Sequence, residues 1–163
     1  MTYDPIVLAH ARALLTSSPE GATGYLDADV KNTGQILAGA ARLLDFTKPV
    51  AIMLVAVLHM LREEEEPAGI VDRFMAAAPA GSFLVISHLA SDVQQEAMAE
   101  MGRRLNQSMT QQVTMRTRAQ VTAFFDDLTL LDPGVVLTHQ WRPDSAADAD
   151  TPGVLWAGVA RKD

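Results

Sequence analysis

The stretch Val50–Leu58, VAIMLVAVL, constrains the fold more than any other part of the chain. It is apolar without alternation and rich in β-branched residues, the pattern of a parallel strand covered by helices on both faces. Its length is about half of the roughly 20 residues that a membrane-spanning helix needs. Parallel strands require crossover connections, which helices usually supply. The stretch therefore predicts an α/β fold in which it forms the central strand.

The flanking sequence alternates accordingly. Pro5–Leu15 predicts a helix, with Val7, Ala11, Leu14 and Leu15 on one face and Asp4 placed to cap its first N–H groups. SSPEG breaks it, and TGYLDADV predicts a short strand ending in acidic residues. NTGQILAGAARLL follows as a second helix with Ile36, Ala40, Leu43 and Leu44 facing inward, closed by DFTKP. Pro67 opens a third helix carrying Ile70, Val71, Phe74, Met75 and Ala78, which PAGS ends before the strand SFLVIS. A helix from about Asp92 is expected to line up Val93, Ala97, Met101 and Leu105. Thr117-Arg118-Ala119-Gln120 matches a capping box, opening a helix with Val121, Phe124 and Phe125. The tail segments LTLLDPGVVLTHQWRP and GVLWAGVARKD have no helix between them, only the polar DSAADADTP, and should pair as an antiparallel hairpin. No internal repeat or long linker divides residues 1–163, so one domain is expected.

Composition narrows the partners. Thirteen Lys plus Arg against twenty Asp plus Glu give a net charge of -7, which repels phosphate backbones and argues against nucleic acid. The absence of cysteine rules out disulfides, thiolate metal sites and a cysteine nucleophile, and fits a reducing compartment. Met1 is not followed by a basic and then apolar signal pattern, so a cytoplasmic protein with no membrane partner is expected. Asp144, Asp148 and Asp150 miss the calcium-loop pattern and the four histidines lack an H-E-x-x-H, so no metal is expected. REEEEP reads as a solvated helix start, and Trp141 and Trp156 as packing residues of the tail strands.

The blocks DPIVLAHARALL, YLDADV, VAIMLVAVLHML, GSFLVISHLASD and VVLTHQWRPD, with the closing AGVARK, span nearly the whole chain in order. Together they resemble bacterial S-adenosylmethionine-dependent methyltransferases. The resemblance implies the Rossmann-like methyltransferase fold, a three-layer sheet ordered 3-2-1-4-5-7-6 with the seventh strand antiparallel. The tail hairpin then corresponds to the sixth and seventh strands. Two family features do not appear: no G-x-G-x-x-G follows a strand, and Thr2 stands where the family has its ribose-binding acid. Asp4 is therefore read as a helix cap. The expectation is an N-terminally truncated, mostly parallel sheet lacking the first two strands and ordered 3-4-5-7-6.

What the resemblance implies for the site falls on two strand ends. Asp29 matches the acid that accepts from the adenine amino group, with the Val30 backbone beside it. Ala56, Val57 and Leu58 lie where the fourth strand meets the cofactor, S-adenosylmethionine. Beyond them, His59 has the near-neutral pKa of a residue that orients a nucleophile or acts as a base, and His88 at the next strand end faces the same side. For each histidine the competing reading is a packed structural residue, and for Asp29 an exposed strand-end carboxylate.

Two functions follow as expectations. One is methyl transfer at an incomplete cofactor site to an acceptor that the sequence does not specify, a small molecule being one candidate. The other is a non-catalytic remnant acting as a binding or self-association module. In either case the unpaired strand edges predict a homodimer or other homo-oligomer.

Overall fold

A computed structural model describes residue 9 and residues 21–108, 112–150 and 153–163. The predicted first helix, Asp4 and Thr2 lie outside the described residues. The sheet is built around β2 (Phe83–Leu89), whose Leu84, Ile86 and His88 are fully buried. On one side it pairs in parallel with β1 (Ala51–Val55), in register from Ala51 opposite Phe83 to Val55 opposite Ser87. On the other side lies β5 (Leu155–Arg161), antiparallel, with Phe83 opposite Arg161 and Leu89 opposite Leu155. The far edge of β5 carries β3 (Thr129–Leu130) and β4 (Val136–Leu137), both antiparallel, so the order is β1-β2-β5-β3 with β4 sharing the β3 side. The expected tail pairing is present, with its first segment split around Asp132-Pro133-Gly134.

The sheet is mixed and open, as the sequence implied, but three expectations change. YLDADV forms no ladder among the described residues. Its polar groups are satisfied locally: Lys31 N–H donates to Asp29 Oδ1 at 2.9 Å, Asn32 N–H to Asp29 O at 2.9 Å, and Gln35 Nε2 to Asp27 O at 3.2 Å. Such side-chain bonds compete directly with strand pairing. Secondly, β1 has a partner on one side only among the described residues, and β2 takes the central place. One face of β1 packs through Ile52 and Leu54, whereas Met53 and Val55 on the other are 63% and 55% exposed. An apolar run reports what a strand can bury, not which neighbours it receives. Thirdly, a short helix, Ala146–Ala149, does interrupt the polar linker, because Ser145 Oγ accepts from Asp148 N–H as an N-cap.

The helices follow local signals where those are strong. α1 (Thr33–Ala40) is capped by Asn32 and stops before Leu43 and Leu44, which are about half exposed rather than inward. α2 (Pro67–Ala77) buries the predicted stripe Ile70, Val71, Phe74 and Met75, and crosses from β1 to β2. Its C-terminal carbonyls are bonded by Lys162, whose Nζ donates to Met75 O and Ala78 O at 2.8 Å each. α3 (Gln95–Ser108) buries Met98, not the expected Val93, Ala97, Met101 and Leu105 line. Gly102, one turn on, packs against Met115 and fixes that face. α4 (Arg118–Thr122) opens with the predicted Thr117/Gln120 capping box and delivers Val121, Phe124 and Phe125 to the core. Burying each such leucine, isoleucine or phenylalanine contributes about 1.5–3 kcal/mol.

Candidate functional site

The carboxyl ends of β1 and β2 point the same way because the two strands are parallel, and Ala56, Val57, Leu58, His59 and His88 lie at them. β1 stops at Val55 because Ala56 adopts a left-handed conformation, φ 53°. Its N–H donates to Ser87 O at 3.2 Å and Ser87 Oγ at 3.0 Å, so β2 holds the turn in place. Left-handed backbone costs a non-glycine residue roughly 1–2 kcal/mol, and such strain persists only where surrounding bonds fix it. The turn redirects the chain into a 3-10 segment, Leu58–Met60, on which His59 is buried.

His59 and His88 meet with ring centroids 5.7 Å apart and planes at 86°. Their surroundings differ. His88 Nδ1 lies 2.9 Å from Leu89 O and its Nε2 lies 2.8 Å from Arg116 Nη1, so both nitrogens are engaged. Burial first, and then the charges of Arg116 and His59, hold its pKa down to about 4 despite the opposing Leu89 bond. His59 Nδ1 is buried and has no hydrogen-bond partner among the described residues. Burial, followed by Arg116, lowers the pKa of His59 as well, so the ring is neutral near pH 7.

Of the five residues the resemblance assigns to the cofactor, Ala56 is exposed and Val57 half-buried. The Leu58 and Val30 side chains are buried in the core. Asp29 is partly exposed, with Lys31 Nζ 3.6 Å from its Oδ2. Lys31 also reaches Glu65 Oε1 at 2.9 Å, tying the Asp29 turn to the 62–66 turn that follows the histidine segment. The Arg62 backbone N–H, then Lys31, pull the Glu65 pKa down to about 2, so this tie is ionised throughout the physiological range.

Arg116, Glu63 and Ser87 were not singled out by sequence reasoning. Arg116 is 2% exposed, yet VTMRT reads as an ordinary approach to a capping box, because its partners lie 28 to 58 residues away. The positive φ at Ala56 has no sequence signature either.

A mixed open sheet of this order, with polar groups gathered where its parallel strands end, defines a Rossmann-like methyltransferase fold. The chain belongs to the S-adenosyl methyltransferase family, whose sequence profile it matches over residues 1–163. It is similar to a solved DUF574 family protein from Streptomyces avermitilis, with 35% identity and a TM-score of 0.92, covering 99% of this chain and 63% of that one. A candidate methyltransferase from Thermobifida fusca matches at 34% identity and a TM-score of 0.85, covering 99% of this chain and 61% of that one. The chain thus spans less than two thirds of the length of these relatives. The N-methyltransferase NodS from Bradyrhizobium japonicum, solved with S-adenosyl-L-homocysteine, shares the fold at 12% identity and a TM-score of 0.55, covering 98% of this chain and 63% of that one. Among curated proteins none matches.

Family membership supports S-adenosylmethionine as the cofactor. The residues present fit such a group. Asp29 presents a partly exposed carboxylate, Ala56 an exposed backbone turn carrying only a methyl group, and His59 Nδ1 a polar atom unmatched among the described residues.

Proposed function

We propose that this chain binds S-adenosylmethionine at the ends of β1 and β2 and takes part in methyl transfer to a small-molecule acceptor. The family match over residues 1–163 carries the reading. When bound, the sulfonium supplies an electrophilic methyl group, and alignment with the acceptor does most of the catalytic work. The chain's own contribution is positional. Asp29 binds the adenine amine, the Ala56 turn lets the cofactor approach the backbone, and neutral His59 behind that turn orients the acceptor or serves as its base. Net charge -7 disfavours a nucleic-acid acceptor, and a cysteine-free composition suits the cytoplasm. Among the described residues no helix is long and apolar enough to cross a membrane.

Calorimetric titration with S-adenosylmethionine and S-adenosyl-L-homocysteine tests this. Saturable binding that weakens roughly tenfold in Asp29→Ala supports the reading, and no heat at millimolar ligand overturns it.

The second reading, a non-catalytic methyltransferase-fold module that self-associates, is favoured by the side of β1 that has no partner among the described residues, with Met53 and Val55 exposed beside it. Under it the chain is a homo-oligomer and binds the cofactor weakly or not at all. Sedimentation equilibrium giving a monomer mass at all concentrations removes that reading.

A further inference from the structure

The guanidinium of Arg116 is placed where the turn after β1, the exit of β2 and the segment before α4 converge. Its backbone bridges to Ala90, with Arg116 N–H donating to Leu89 O at 3.1 Å and Arg116 O accepting from Ser91 N–H at 3.0 Å. Two residues earlier, Thr114 N–H donates to His59 O at 2.8 Å. The side chain donates four hydrogen bonds. Nε donates to Glu63 Oε1 at 2.8 Å, Nη1 to Leu58 O at 3.1 Å and His88 Nε2 at 2.8 Å, and Nη2 to Leu61 O at 3.1 Å, while the Glu63 carboxylate is also ion-paired to Nη2, 2.7 Å from its Oε1. Phe124 covers the cation, with its ring centroid 5.5 Å from Cζ.

These contacts dictate the tautomer of His88. A carbonyl oxygen only accepts, so Nδ1, facing Leu89 O, carries the proton. A guanidinium only donates, so Nε2 is bare. We propose that Arg116 is a positioning residue of the methyl-transfer site: it clamps the 58–63 turn that carries His59 and locks His88 as an Nδ1–H acceptor, leaving His59 as the imidazole of the pair with a nitrogen unpartnered among the described residues. The inference rests on the methyl-transfer reading for its function, but not for its test. Lysine cannot replace the clamp, having three donors on a point charge where the site uses four bonds from a planar fork.

Nitrogen-15 NMR of the histidine rings in the full chain reads the tautomer without cofactor. His88 faces His59 and Arg116, and through Arg116 it faces Glu63. The expected result is an Nδ1–H, bare-Nε2 signature for His88 from about pH 5.5 to 8. In Arg116→Gln and Arg116→Lys, His88 should titrate nearer its ordinary value of about 6.5, and the His59 ring signals should broaden or move. A protonated Nε2 in the wild type overturns the proposal, as does a His88 that Arg116→Gln leaves unchanged. Should neither variant fold, the wild type still decides. Four separate, slowly exchanging Nη protons on Arg116 support the clamp, and one averaged signal refutes it. With S-adenosylmethionine added, the wild type should shift His59, and Arg116→Gln should bind roughly tenfold more weakly. Failure of the wild type to bind would count against methyl transfer while the cofactor-free spectra still judge the clamp.

Discussion

His88 makes the folded chain sensitive to acid in a defined window. Its pKa is held at about 4, against an ordinary 6.5, chiefly by burial and then by the Arg116 charge. The unfolded chain therefore binds a proton that the folded chain refuses. This contribution to stability is complete above the unfolded value and is lost as pH falls toward the folded one. At about 1.4 kcal/mol per pH unit the loss reaches a few kcal/mol, and the lowered pKa of His59 acts with the same sign. Urea titrations from about pH 7 to 5, above most carboxylate titration, should show stability falling steadily, and a flat profile contradicts the buried neutral pair. Ala56 offers a second test at the same place. Replacing it with glycine removes the left-handed strain without losing a buried side chain, so Ala56→Gly should raise unfolding free energy by about 0.5–1 kcal/mol.

Among the elements, β5 depends on the lack of a side chain at Gly158. A Cβ there would stand 3.0 Å from Phe125 and from Val135 Cγ2, both of which are core residues. Overpacking a filled interior forces neighbours off their rotamers, so Gly158→Ala should cost about 1–3 kcal/mol by chemical denaturation. This contact also marks how far sequence reasoning reaches. Signals confined to a few neighbouring residues were readable: the Ile70, Val71, Phe74 and Met75 stripe, the Thr117/Gln120 capping box and the pairing of the tail strands. Choices settled by a distant partner were not. α3 turns Met98 inward because Met115 lies across from Gly102, and VAIMLVAVL cannot say which of its sides is paired. The site divides in the same way. His59 and His88 stand out as histidines at strand ends, whereas their inequivalence comes from Arg116, whose acceptors are scattered from Leu58 to His88.

For the whole molecule the decisive surface is the side of β1 left without a partner among the described residues. An edge strand with exposed apolar residues is a template for pairing, and natural proteins commonly blunt such edges with lysine. Nothing in AIMLV does so. Met53 and Val55 are exposed on one face of this strand, and Leu43 and Leu44, at 51% and 49%, add exposed apolar area to the same molecule. If the proposed self-association uses this edge, two lysines on it should abolish association at little cost to the fold. Substituting exposed positions generally changes stability by no more than about 0.5 kcal/mol. The expected outcome for Met53→Lys with Val55→Lys is a shift from an associating species to a monomer by sedimentation equilibrium, with an unchanged urea midpoint. A double variant that still associates would move the interface elsewhere, and one that unfolds would mean that this face of β1 is covered within the chain itself.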